Sequence, residues 1–241
     1  MIYFTSDLHL GHENIMHLCN RQFNNIEEHD EYILQSINSV CTENDDLYIL
    51  GDIGYPKDID KLRDYLKRIN ANVYIVLGNH DSRYNLMQLK REGIIKDVSD
   101  FAKVANEGKL IVCCHYPLKE WVGYYRGSYL AYGHTHGNIK QYDRCMDVGV
   151  DNIGYKPIEF NELIERIDNN QSETERRVSD TDKEINKFFP NLNTGYFVNL
   201  CLNNEEIRNT IYKVLTNGVN NQYDWEESNI WRTEWSSVHS Y

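Results

Sequence analysis

The chain has 241 residues, 41% of them apolar and 26% charged, and a formal net charge of −12. That balance is ordinary for a globular protein and leaves room for one domain plus an appendage. No stretch approaches the roughly 20 apolar residues needed to cross a bilayer. Lys and Arg never run longer than two, which argues against a basic surface for a long duplex nucleic acid.

Met1 to Ser6 reads as a strand that ends on Asp7. Its lack of a basic segment followed by a long apolar run argues against a secretory signal. Ile26, Ile33, Leu34, Ile37 and Val40 give residues 26–41 the apolar stripe of an amphipathic helix. A buried-type strand over 46–50 ends at Gly51-Asp52, and a helix is expected over about 57–69 from Ile59, Leu62, Leu66 and Ile69. Three more strands, 72–77, 109–114 and 129–132, end at Gly78-Asn79, at His115 and at Gly133-His134. The segment 146–151 reads as a further strand.

Beyond about residue 167 the composition changes. Residues 168–182 are polar and linker-like, helices are expected near 182–189 and 204–216, and the end holds Trp225, Trp231 and Trp235. So aromatic a tail suits docking on the core or on a partner better than disorder. The division is therefore 1–167 and an extension over 168–241, through which a homo-oligomer is one option. Six cysteines without C-x-x-C spacing fit reduced thiols in the cytoplasm.

Five short polar strings each follow an apolar run: Asp7-Leu8-His9, Gly51-Asp52, Gly78-Asn79-His80-Asp81, His115 and Gly133-His134-Thr135-His136. Singly, Gly-Asp or Asp-x-His is an ordinary turn. Together they bring carboxylate, imidazole and amide groups to the strand ends where α/β folds build ligand sites. Phosphoester hydrolysis needs a nucleophile active at neutral pH and neutralisation of the phosphoryl charge, which a pair of metals supplies. Oxygen and imidazole donors without thiolate suit Mn²⁺, with Fe, Zn²⁺ or Ni²⁺ also accepted. Two such ions would bring the net charge from −12 to −8, with the added charge facing an anionic substrate.

At these residues the chain resembles the calcineurin-like metallophosphoesterase superfamily, patterned D-x-H, G-D, G-N-H-D/E, H and G-H-x-H. Thr5 to His12, Asn20-Arg21 with Phe23, His115-Tyr116-Pro117-Leu118 and Asp147 to Asp151 are similar to its small bacterial and phage-type members. The likeness covers roughly residues 1–160. It implies an α/β fold, a four-layer α/β/β/α sandwich of two mixed sheets. It also implies that Asp7, His9, Asp52 and His136 hold one metal, that Asp52, Asn79, His115 and His134 hold the other, and that His80 is the catalytic group. His12, Arg21, Arg83 and Tyr116 lie near motif positions and are candidate substrate contacts, although helix capping, surface pairing or packing accounts for them equally well.

One departure bears on substrate. The family's protein phosphatases carry Asp-Arg two residues after Gly-Asp, where this chain has Tyr55-Pro56. A phosphodiester has one fewer charge to clamp, so a small nucleotide or cyclic-nucleotide diester is the favoured substrate. A phosphomonoesterase or nuclease is the alternative. A binding or scaffold protein that uses the aromatic tail is the alternative of another class.

Overall fold

The structure is a computed structural model and describes residues 1–54, 58–139 and 143–170. The expectations for Tyr55-Pro56 and for the extension past residue 170 lie outside the described residues.

Two mixed sheets form the α/β fold. Strands β1 (Ile2–Thr5), β2 (Asp46–Ile49), β3 (Asn72–Val76) and β4 (Asp97–Ser99) are parallel. The second sheet contains β5 (Ala102–Asn106), β6 (Lys109–Cys113), β7 (Tyr129–Tyr132) and β8 (Cys145–Asp147). Strand β9 (Ile158–Glu159) returns antiparallel to β1, giving the order β4-β3-β2-β1-β9. In the second sheet β6, β7 and β8 run parallel, whereas β5 is antiparallel to β6. The two-residue turn between β5 and β6 places Glu107 and Gly108 at φ 50° and 79°, the left-handed pair that matches the twist of a hairpin.

Helices α1 (Ile15–Leu18), α2 (Ile26–Asn38), α3 (Ile59–Lys67), α4 (Arg83–Arg91) and α5 (Val150–Ile153) join the strands, and residues 160–170 form a further helix, α6. Helix α2 starts where the Asn25 side chain accepts from Glu28 N at 2.8 Å, satisfying one of the free N–H groups of its first turn. Asp58 caps α3 and Ser82 caps α4 in the same way.

Ile33, Leu34 and Ile37 of α2, Leu62 and Leu66 of α3, and Leu86 and Leu89 of α4 bury against Leu47, Ile49, Val73 and Ile75 of the first sheet. The opposite face of that sheet contributes Phe4, Leu50 and Val76 to a second core with Ile111, Cys113 and Ala131 of the second sheet and Phe160, Leu163, Ile164 and Ile167. Trp121 and the short 3₁₀ turn Tyr124–Arg126 belong to the segment that covers Val112, Leu130 and Tyr132 on the remaining face.

The segment 146–151 departs from its expected strand. Only Cys145–Asp147 forms a strand, Gly149 makes an isolated bridge with Ser6, and α5 begins at Val150. The cause is Asp147: its Oδ1 accepts from Gly149 N at 2.7 Å, which turns the chain out of the sheet. Helix α4 and strands β4 and β5, which the apolar pattern does not announce, are short and carry polar residues between their apolar ones.

Phe160 is fully buried between the sheets. Phe160→Ala is expected to cost about 3–5 kcal/mol, read as a lower urea midpoint at unchanged m-value.

Candidate metal centre

Five parallel strands end at the loops that carry the polar strings: β1 at Asp7, β2 at Asp52, β3 at Asn79, β6 at His115 and β7 at His134. Asp7, His9, Asp52, His134 and His136 all have left-handed backbone, with φ of 57°, 53°, 54°, 69° and 48°. Such a conformation costs an L-residue roughly 1–2 kcal/mol, so five in one place mark a backbone held by its surroundings.

Much of the hold comes from carboxylates beneath the loops. Asp81 accepts from Asp52 N at 2.9 Å, Ile53 N at 3.1 Å and Gly78 N at 2.8 Å. Asp147 accepts from Thr135 Oγ1 at 2.5 Å and Gly137 N at 2.9 Å. Across the sheets, His134 N donates to Asp7 Oδ2 at 2.9 Å and His115 Nδ1 donates to Leu50 O at 2.7 Å. A side chain on Gly133 would strike Ser6 Oγ and Asp7 Oδ2, so only glycine lets these loops meet.

Two groups of donor atoms come from the motif residues, and a third joins Cys19 and Asp151 to His136. Those of Asp7, His9 and His136 lie within 4.8 Å of one another, as do those of Asp52, His115 and His134. Asn79 Oδ1 lies 2.9 Å from His115 Nε2 and 2.9 Å from His134 Nδ1. Asp52 Oδ2 faces both groups, 3.7 Å from His9 Nε2 and 3.6 Å from His115 Nε2. The seven residues taken from the motifs are thus brought together.

The chemistry of these atoms fits bound cations. Because Leu50 O can only accept, His115 carries its proton on Nδ1 and turns the Nε2 lone pair toward Asn79 Oδ1. Acceptor facing acceptor is unfavourable without a cation between them. His9 Nε2 is buried and makes no hydrogen bond, a cost that metal coordination removes. Burial, then Arg21 and the neighbouring imidazoles, pushes His9 down to about 2, so its ring stays neutral. Burial also lowers His134. Burial raises the Asp7 carboxyl to about 7, against the opposing pull of His115 and His136. The hydrogen bond to Asp151 raises His136.

The remaining candidates scatter. His80 is exposed at the mouth, its ring 5.4 Å from that of His9 and 6.0 Å from that of His12. His12 Nδ1 lies 3.4 Å from His9 Nδ1, and burial followed by His80 lowers its pKa. Tyr116 is 44% exposed, with its ring 4.8 Å from that of His134. Arg21, a candidate substrate contact, is instead buried beneath the loops, its side chain 0% exposed and bonded to Asp151 and to the carbonyls of Asp7 and Leu8. Arg83 pairs with Asp100 on the surface. The motifs assign no task to Asp81, Asp147 or Asp151. Their signal was present in Gly-Asn-His-Asp and in the spacing Asp147-x-x-x-Asp151, but only the folded loops show which N–H groups they accept.

Asp81→Ala leaves three backbone N–H groups without their acceptor. The expected loss is at least about 3 kcal/mol, at about 1–3 kcal/mol for each of the three donors left without a partner, and urea unfolding of metal-free protein measures it.

Comparison with known proteins agrees with this geometry. An uncharacterised protein of Methanocaldococcus jannaschii is 28% identical over 175 residues, which cover 69% of this chain and 91% of that protein. The gene 66 protein of Mycobacterium phage L5 is 28% identical over 181 residues, covering 63% of this chain and 87% of its own. A solved structure of a protein of unknown function from Aquifex aeolicus superposes with a TM-score of 0.56 at 27% identity, covering 68% of this chain and 97% of that one. The family described as Calcineurin-like phosphoesterase matches residues 1–138, the span that holds all five loops, and the chain belongs to that family.

Proposed function

We propose that the chain is a two-metal phosphodiesterase acting on a small nucleotide-like or cyclic-nucleotide diester. In this reading Asp7, His9, Asp52 and His136 hold one ion, and Asp52, Asn79, His115 and His134 hold the other. The observation that carries it is the position of Asp52 Oδ2, one carboxylate oxygen facing an imidazole nitrogen of each group at 3.7 Å and 3.6 Å. The oxygen and nitrogen donors suit Mn²⁺. When bound, the ions supply charge neutralisation at the phosphoryl oxygens and a water acidified toward neutral pH.

The chain's own groups do the rest. Asp52 Oδ1 accepts from His80 N at 2.9 Å, so the loop that carries His80 is anchored on the carboxylate between the two groups. Its exposed imidazole stands at the mouth and delivers a proton to the leaving oxygen. His12 adds a second imidazole beside it.

The preference for a diester rests on charge. Among the described residues, neither candidate arginine is free to clamp phosphate: Arg21 is buried and Arg83 is paired with Asp100. A singly charged diester tolerates that better than a doubly charged monoester. The exposed ring of Tyr116 offers a flat surface to a base. The net charge of −12 disfavours long duplexes.

Cytoplasmic placement fits the free thiols of Cys19, Cys41, Cys113 and Cys114. Among the described residues no helix is long and apolar enough to cross a membrane. Residues 168–241 are read as an extension to the catalytic domain.

Hydrolysis of bis-p-nitrophenyl phosphate with Mn²⁺ tests this. EDTA should abolish turnover and added Mn²⁺ restore it. Asp52→Asn should lower kcat/KM roughly a hundredfold or more, and full activity in that variant would sink the two-metal reading. His80→Ala should lower kcat by about 10²–10⁴ while Mn²⁺ uptake stays unchanged. Faster turnover of p-nitrophenyl phosphate than of the diester would overturn the substrate preference alone.

A further inference from the structure

The two donor groups are supported in different ways. Behind the Asp52–His115–His134 group stand a backbone carbonyl, Leu50 O, and the Asp81 carboxylate. Behind the Asp7–His9–His136 group stands Arg21, and all five of its N–H hydrogens have partners. Nε and Nη2 grip Asp151 at 2.8 and 2.7 Å, Nη2 also donates to Asp7 O at 2.7 Å, and Nη1 reaches Leu8 O at 3.0 Å and His29 Nε2 at 2.9 Å.

Each contact acts on the first group. The carbonyls of Asp7 and Leu8 lie in the stretch where Asp7 and His9 hold left-handed backbone. Asp151 Oδ2 in turn lies 2.7 Å from His136 Nδ1, which fixes the ring with Nε2 toward Asp7 Oδ1, 4.0 Å away. The network runs on into the helices. His29 Nδ1 donates to Asp30 Oδ1 at 2.8 Å, and Asp30 Oδ2 accepts from Gly11 N at 2.9 Å and Tyr65 OH at 2.6 Å. Tyr65 lies on α3 and His29 on α2, so the buried chain links both helices to the β1 loop.

We propose that Arg21 is a positioning residue for one metal of the pair: through Asp151 and the Asp7 and Leu8 carbonyls it sets the geometry and affinity of the Asp7–His9–His136 site and leaves the Asn79–His115–His134 site untouched. The inference rests on the two-metal reading above. A lysine cannot replace Arg21, because a single ammonium cannot span four partners in the plane of a guanidinium fork. The role requires the fork and not merely the charge.

Mn²⁺ titration by calorimetry of metal-free protein, with Arg21→Lys beside the unaltered chain, tests this. The unaltered chain should take up two equivalents; fewer than two would overturn the two-metal reading itself and not the role of Arg21 alone. In Arg21→Lys one equivalent should weaken 10–100-fold, the range for loss of a ligand's supporting partner, while the other stays within about twofold. At saturating Mn²⁺ the KM for bis-p-nitrophenyl phosphate should also stay within about twofold of the unaltered value. Equal weakening of both equivalents, or of neither, overturns the inference. A raised KM with an unchanged Mn²⁺ isotherm also overturns it and returns Arg21 to the substrate. Should Arg21→Lys fail to fold, Asp151→Ala removes the same link to His136 and is held to the same single-site outcome.

Discussion

The close approach of the two sheets at their C-terminal edges is the constraint on which the site depends. At Gly51, with φ of +94°, an added Cβ would lie 2.5 Å from His115 Nδ1 and 2.7 Å from Gly78 Cα. There is no room for a side chain, and the backbone conformation itself favours glycine. Because the strand ends pack so tightly, His115 of the second sheet reaches Leu50 O of the first, and His134 N reaches the Asp7 carboxylate. Looser packing would leave the two donor groups on separate edges with no carboxylate able to face both.

That proximity has a cost, and the loops show how it is met. Five residues of the site occupy left-handed backbone, unfavourable by roughly 1–2 kcal/mol each. Asp81 and Arg21 each collect two or more backbone groups of these loops, and Asp147 takes Gly137 N and Thr135 Oγ1. Strain in the donor loops and dense hydrogen bonding beneath them are two sides of one arrangement, in which rigid strands aim the side chains and buried charge holds the turns.

The sequence displayed the donor strings plainly, because short polar segments after apolar runs stand out at any strand end, and the strands 46–50, 72–77, 109–114 and 129–132 agree with the structure to within one residue at each end. Supporting residues were far less legible. Arg21 has the same appearance in sequence whether it clamps a substrate or is buried under the loops, since only tertiary packing decides which acceptors surround a guanidinium. Asp147 hid inside an apolar run that reads as continuous strand, and its bond to Gly149 N is what ends that strand. Helix α4 is not legible in the sequence because its buried residues, Leu86 and Leu89, make too brief a stripe to signal a period.

The span of the hydrogen bonds that close the site carries a consequence for how the protein is made. The bond from His134 N to Asp7 bridges 127 positions and that from Arg21 to Asp151 bridges 130. Contacts so distant in sequence form only after the intervening chain has been ordered, because loop closure must be met before they stabilise anything. A nascent chain that has emerged only as far as β4 holds Asp7, His9, Asp52 and Asn79 but none of the second sheet's imidazoles. A metal held by the full donor set would therefore be captured late in biogenesis, after one sheet has docked on the other, and would favour the finished topology over partly assembled chains.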